Sequence, residues 1–497
     1  MEHTPIENSP KRAGSVRRAL FWASLGQAAF FALQFLSSVV LARLLDPREM
    51  GVFAIGAATV GLVSALQALG LNNLLIRAER IDQPLLSTVF TVNLILSFLV
   101  SLAVIGLGLF SAFLFDEPGT IQVMLWLSVT PLLTALGLLP SSLIQRENNF
   151  RALSLLKIFS TLMGTALTIA LALFGSSYMS LAYGWLLTCA ANCFGAWILA
   201  PHHVHLRLGV RRWREVLKFG SGMIVVNGVT QAQRQVLNLI LGRFQGLEAV
   251  GLYTRANSLS SLLIENTQTV AMRVFLVDFA EAARNGLDLR SRYLKVIELM
   301  TATLWPVFAG LAVLSAPAVK LLYGPTWHAL ALPLSLLCVS GLFWIAVAMA
   351  WELFVVANET TRQAVLETQR SAVGTILFTI GCQFNLVIAV ASRIAETFYS
   401  VFLYRPHIAR ITGCTSRDFF SVYLRSAGLT IAAICPAAIL MQRYDWSADT
   451  PLMLVAGSMA AGIALWLLCL FVMKHPLLLQ FVSLIKRPST RLNESAL

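Results

Sequence analysis

The chain has 497 residues, 57% of them apolar and only 12% charged, about half the charge of an ordinary soluble protein. With a mean hydropathy of +0.74, it cannot give polar surfaces to the three or so soluble domains its length would fill, and disorder, collagen-like repeats and a disulfide scaffold are excluded too. The net charge of +13 does not indicate nucleic acid, because the basic residues lie between long apolar runs instead of on one polar domain.

In chain order, Lys11, Arg12, Arg17 and Arg18 form a basic tail over residues 1–18. The apolar stretch behind them, about 25 residues, is too long for the core of a cleaved signal peptide. It is read as a first span with a cytoplasmic tail. Runs long enough to cross about 30 Å of hydrocarbon occur at 19–42, 51–76, 85–115, 120–144, 152–175, 178–200, 217–242, 249–275, 296–323, 328–357, 364–389, 392–409, 418–441 and 451–473. The eleventh and twelfth are separated only by Ala391-Ser392-Arg393. With both termini inside, inner segments hold 27 Lys+Arg and outer segments six, with four more within spans. That asymmetry is what the positive-inside rule predicts for an even number of spans.

A shift of 200 residues reveals a repeat. Leu41-Ala42-Arg43 and Pro47-Arg48-Glu49-Met50-Gly51-Val52-Phe53 align with Leu241-Gly242-Arg243 and Leu247-Glu248-Ala249-Val250-Gly251-Leu252-Tyr253. Six spans separate the two stretches, so the halves share one orientation, related by an axis along the membrane normal. Asp46 is expected to cap the second helix, with Pro47 in its first turn and Glu49 completing a capping box. The expected fold is an all-α integral membrane protein of about 14 transmembrane helices, both termini cytoplasmic. Two six-helix bundles in parallel repeat occupy 19–200 and 217–410, joined by a basic cytoplasmic linker at 201–216. Helices 13 and 14 occupy 411–473, and a basic cytoplasmic tail covers 474–497.

Ionisable and amide side chains inside such spans are functional candidates. Asn227, Gln231, Arg234 and Asn238 are spaced 4, 3 and 4, on one face of the seventh span. The eighth carries Arg255, Glu265, Asn266 and Arg273. Arg234 and Arg255 sit at a matched depth of roughly 10–12 Å from the outer side, which suits a pocket for an anion such as a diphosphate. The alternative is that each pairs with a carboxylate, Glu265 being nearest in sequence, or snorkels outward. Towards the cytoplasm, Arg18, Lys157, Arg370 and Arg425 suit a positive entrance for an anionic headgroup, snorkelling being the plainer account of each. Glu265, Glu298 and Glu352 are candidates for ion coupling, or else counter-charges for the arginines. Gln27, Gln34, Asn72 and Asn73 suit hydrogen bonds to sugars, or helix–helix contacts.

No metal site is expected. Cys189 and Cys193 have no His or carboxylate nearby, and His202-His203-x-His205 belongs to a basic loop that suits anionic lipid. Trp22 and Trp327 are read as interface anchors. No P-loop and no soluble catalytic domain is found, so no enzymatic role and no cofactor is expected.

The stretch from Leu41 through Asp46-Pro47-Arg48-Glu49-Met50-Gly51, followed by Gly70-Leu71-Asn72-Asn73-Leu74-Leu75-Ile76-Arg77, resembles the start of Wzx-type polysaccharide flippases. These belong to the superfamily that includes MATE exporters and lipid II flippases. Gly242-Arg243-Phe244-x-Gly246, Gly251-Leu252-Tyr253-x-x-Ala256 and Leu322-Tyr323-Gly324-x-x-Trp327 resemble its second half. One departure is that relatives often carry an Asp shortly before the GRFxG stretch, where this chain has Arg234, Gln235 and Asn238. The resemblance implies a multi-pass bacterial inner-membrane protein that moves an undecaprenyl-diphosphate-linked oligosaccharide from the cytoplasmic to the periplasmic leaflet. Alternating access driven by an ion gradient or the membrane potential would power it. A polysaccharide polymerase and a chain-length regulator would be its partners, and the polyprenyl tail would lodge near the last two spans. A lipid II flippase or a MATE-like drug/cation antiporter is the alternative.

Overall fold

The computed structural model describes residues 26, 29–67, 70–77, 82–115, 117–147, 149–200, 207–223, 228–284 and 288–477, with the side chains of 66, 77, 112–114, 219–223, 229–230, 265–278, 280 and 282–284 left aside. Every regular element among these residues is helical. The reason is the solvent: in hydrocarbon a helix satisfies its own backbone groups, whereas an open sheet edge leaves them bare. Among the described residues nine helical segments are long and apolar enough to cross a membrane, and Ala29–Leu44 is a shorter apolar helix.

Contacts divide the chain into two units, Met1–Thr254 and Arg255–Leu497. The first holds α1 (Ala29–Leu44), α2 (Pro47–Ser64), α3 (Leu71–Arg77), α4 (Gln83–Phe115), α5 (Pro118–Leu127), α6 (Thr130–Arg146), α7 (Phe150–Leu173), α8 (Ser177–Leu199) and α9 (Trp213–Met223). A helical run, α10 (Val229–Arg284), contains the division and breaks at Gly246, whose φ of 81° and ψ of 176° suit a residue without Cβ. The second unit continues with α11 (Leu289–Val313), α12 (Ser315–Tyr323), α13 (Ala331–Ala346), α14 (Ala350–Val356), α15 (Thr360–Cys382), α16 (Leu386–Thr412), α17 (Ser416–Arg443) and α18 (Leu452–Val472).

Local chemistry sets the helix ends. At α2 the capping box forms as expected: the Glu49 N–H donates to Asp46 Oδ1 at 2.8 Å and the Asp46 N–H to Glu49 Oε2 at 3.0 Å, with Pro47 in the first turn. The eleventh and twelfth runs divide elsewhere than expected. Ala391-Ser392-Arg393 lies inside α16, and the turn is Gln383-Phe384-Asn385. Asn385 fixes it, its side chain accepting from the Ile388 N–H at 2.9 Å. Arg393, taken above as part of the separator, therefore belongs to a span. It leaves the outer side of the charge count, so the bias stands.

Large apolar side chains on the outside of α4, among them Ile95, Phe98, Leu99 and Leu102, recur at helical spacing and are 52–61% exposed. A stripe of this kind is what lipid accepts and water does not. The interior of the first unit closes on Leu71, Leu75, Leu85, Val89, Leu139 and Val216. In the second, Leu299 and Ala302 of α11, Leu429 of α17, Leu470 of α18 and Leu477 beyond it form one cluster, so the last two long helices are packed onto α11.

Candidate functional site

The first unit contains a partly open cavity of about 640 Å³ to which five helices contribute polar groups. Helical spacing puts them there. From α6, Thr134, Leu138, Ser141 and Gln145 stand at intervals of four, three and four; α7 gives Leu153, Lys157, Ser160 and Thr161; α8 gives Trp185, Thr188, Cys189 and Asn192. Gln34 and Phe30 of α1 and Asn72 of α3 complete the wall. The Asn72 amide donates to Gln145 Oε1 at 3.0 Å. Thr161 donates to the Lys157 carbonyl at 2.8 Å and Thr188 to that of Gly184 at 2.9 Å. Each hydroxyl spends its proton on its own helix and keeps acceptor capacity towards the cavity. Lys157 brings the positive charge, its Nζ 3.8 Å from the centre of the Phe30 ring. Seven residues into α7, it lies about 10 Å along the helix. This arrangement offers one cation for an anionic group and a set of amides and hydroxyls for a polyol, inside an apolar bundle.

Of the residues singled out in the sequence, Gln34 and Lys157 meet in this cavity. Asn72, read as a sugar contact, joins them. Gln145, Asn192, Thr134, Ser141 and Thr188 were missed. Their signal was the i, i+4 spacing of Thr188 with Asn192 and the i, i+7 and i, i+11 spacing of Ser141 and Gln145 from Thr134; single amides in apolar runs hid it. Gln231 and Arg234 are exposed and Asn238 is half-buried on the first unit's part of α10.

In the second unit Arg255 is half-buried, its guanidinium carbon 6.0 Å from the ring centres of both Tyr323 and Trp327. Trp327 is wholly buried, which corrects its reading as an interface anchor: its face serves the arginine. Glu298 is a counter-charge. Its Oε1 lies 3.6 Å from Arg425 Nη1 and 3.4 Å from His475 Nε2. Glu352 is 1% exposed. Arg18, Gln27 and Asn227 lie outside the described residues, as do the side chains of Glu265 and Asn266 and the His202-His203-x-His205 stretch.

A cluster of four charged side chains is assembled between α15 and α16. Arg370 is hydrogen-bonded to both Glu367 and Glu396, Arg393 to Glu396, and Tyr404 donates to Glu367 Oε2 at 2.7 Å. Arg370 also lies 5.3 Å from the Trp344 ring centre. Two guanidiniums and two carboxylates balance, Arg370 and Glu396 about 15 Å along their helices from the nearer end, and Glu367 and Arg393 about 10 Å.

A family model described as "Polysaccharide biosynthesis protein" matches residues 40–332, more than half of the chain. The chain belongs to this family. It is 26% identical over 331 residues to the succinoglycan biosynthesis transport protein ExoT of Rhizobium meliloti, covering 65% of each chain. To the lipopolysaccharide biosynthesis protein WzxC of Escherichia coli it is 23% identical over 323 residues, covering 65% of this chain and 66% of that one. The matches thus span just under two thirds of these relatives. Among solved structures, the lipid II flippase MurJ, in an inward closed conformation, superposes with a TM-score of 0.70 at 13% identity, over 92% of this chain and 99% of that one. An inward-facing multidrug MATE transporter of the MOP superfamily gives 0.60 at 16% identity, over 77% and 96%. At these identities the likeness is one of fold. The family member described here is a multi-pass protein of the bacterial inner membrane.

Proposed function

We propose that the protein carries an undecaprenyl-diphosphate-linked oligosaccharide from the cytoplasmic to the periplasmic leaflet, for capsule, exopolysaccharide or O-antigen synthesis. Movement is by alternating access, driven by an ion gradient or the membrane potential. The observation that carries this reading is the cavity of the first unit. A sugar needs amide and hydroxyl partners and a diphosphate needs a cation; Asn72, Gln145, Asn192 and Lys157 supply both within one cavity. The polyprenyl tail stays in lipid. Arg234 and Arg255 are proposed as further phosphate contacts, each in its own unit. Its membrane partners would be a polymerase and a chain-length regulator.

The topology proposed with it is fourteen spans in two parallel six-helix halves plus two, both termini cytoplasmic. The charge bias supports it, and so does a reciprocal contact: a Cβ on Gly51 would meet the Leu247 carbonyl oxygen at 1.8 Å, and one on Gly251 the Pro47 carbonyl oxygen at 1.8 Å. These four positions pair under the same 200-residue shift as the repeat.

The test is a deletion strain complemented with the wild-type chain, Lys157→Ala and Lys157→Arg, measuring surface polysaccharide, lipid-linked oligosaccharide and protein abundance together. Lys157→Ala is expected to accumulate the lipid-linked precursor at normal abundance, and Lys157→Arg to export part of it. Normal export without accumulation in the deletion strain itself refutes the reading. Accumulation of lipid II in that strain instead would assign the chain to the peptidoglycan precursor.

A further inference from the structure

The tenth apolar run is not one helix. Val347-Ala348-Met349 interrupts it between α13 and α14, and Met349 takes φ +62°, a left-handed conformation uncommon for a residue with a side chain. A break at membrane depth frees backbone carbonyls that lipid cannot satisfy. Here tyrosines from two other helices take them. Tyr423 of α17 donates to the Ala346 carbonyl at 2.6 Å, and Tyr293 of α11 to that of Ala348 at 3.1 Å.

Three residues past Met349 stands Glu352. It is 1% exposed, and its Oε2 is sealed from solvent with no hydrogen-bond partner among the described residues. Tyr293 is within electrostatic reach from α11. The charged groups on the helices packed against α14 are engaged elsewhere: Glu359 with Arg362 and Arg410, Glu367 and Glu396 with Arg370, and Glu396 with Arg393. From α16, Tyr404 and His407 stand against Phe354, 6.5 and 6.2 Å between ring centres. Arg405 of α16 is turned to Ser416 and the Phe419 ring, and Tyr423 to Ala346. Among the described residues no cation lies within ion-pair distance of Glu352.

We propose that Glu352 is a proton-binding site: the sealed break in this span holds one proton on Oε2, and the proton leaves only when the break opens to water. A buried carboxylate oxygen without donor or counter-ion is costly, and a proton on Oε2 removes the charge and the unmatched lone pair together. A metal cation suits the place less, since it needs several oxygens around it and the two freed carbonyls already accept from tyrosines. Because the sealed form binds the proton and the open form releases it, proton concentration biases the equilibrium between them. In the proposed flippase that proton is the driving ion, and this step alone rests on the transport reading.

The experiment uses the full-length protein in lipid vesicles and infrared difference spectroscopy. At neutral pH the wild-type chain is expected to show a protonated-carboxyl carbonyl band that Glu352→Gln lacks and Glu352→Asp displaces. The Asp variant carries the comparison if the Gln variant does not accumulate. The same band in all three chains, or no such band in the wild type, overturns the proposal. Oligosaccharide movement in the same vesicles is expected to depend on the pH gradient in the wild type and to lose that dependence in Glu352→Gln. The expected band with no movement at any pH leaves the proton site standing and refutes the flippase reading.

Discussion

Arg370 and Glu396 are the residues whose environment differs most from a reading of their neighbours in sequence. Glu396 is fully buried and Arg370 is 6% exposed, so neither charge has water to turn to. Breaking such a pair by removing one member costs about 3–5 kcal/mol in soluble proteins, because the other is left buried and unmatched. Arg370→Met is therefore expected to lower the thermal stability of the purified protein sharply. Arg370→Met with Glu396→Gln, which restores the balance of charge, is expected to recover part of the loss. Equal melting temperatures for the single and double variants would count against a buried charge network. Gly374 belongs to the same device: a Cβ there would lie 2.2 Å from the Glu396 carboxyl carbon. Gly374→Ala is expected to displace the carboxylate and to lower stability as Arg370→Met does, without removing a charge.

Helix contacts are governed by how closely backbones approach and by what closes the helix ends. Gly51 of α2 and Gly251 of α10 each face the carbonyl one turn before the other glycine, a distance that small residues alone permit. Alanine at either site must push the helices apart, and transport is expected to fall in both variants by similar factors because the contact is reciprocal. A large loss at one position and none at the other would break that symmetry. At the far end of α18, His475 Nδ1 accepts the Leu477 N–H at 3.2 Å, which turns the ring's other nitrogen to Glu298. Burial holds the His475 pKa below its ordinary 6.5, against the pull of Glu298. A folded value below the unfolded one means that the stabilisation is complete above the unfolded pKa and is lost as pH falls through the folded pKa. Wild type and His475→Asn, whose side-chain oxygen can still accept from Leu477, are expected to melt in parallel above pH about 6.5. Below it the wild type is expected to fall faster; parallel curves throughout would mean that folding leaves the His475 pKa unshifted.

For the whole molecule, exposure has two meanings, because lipid and water both count as outside. Asn192 lines the cavity of the first unit, whereas Phe194, two residues on and 65% exposed, lies about 200° around α8. Asn192→Cys is expected to react with a membrane-impermeant maleimide and Phe194→Cys to resist it, read by mass spectrometry at each site in intact vesicles. Labelling of Phe194→Cys alone would reverse the assignment of cavity and lipid faces. The sequence by itself determined the membrane, the helical class, the Asp46–Glu49 cap and the polar candidates Gln34, Asn72 and Lys157. These follow from composition, from a period of 3.6, or from groups within four residues of each other. Tertiary structure alone decided that Arg370, Arg393, Glu367 and Glu396 make one cluster, that Trp327 is buried beside Arg255, and that Tyr293 and Tyr423 close the break before Glu352. Arg370–Glu367 and Arg393–Glu396 are three residues apart on one helix, but the contacts that join them come from another helix, as does Tyr423 to Ala346, 77 residues away. No local pattern encodes such a contact; it exists only once apolar faces have packed and the buried polar groups have had to find one another.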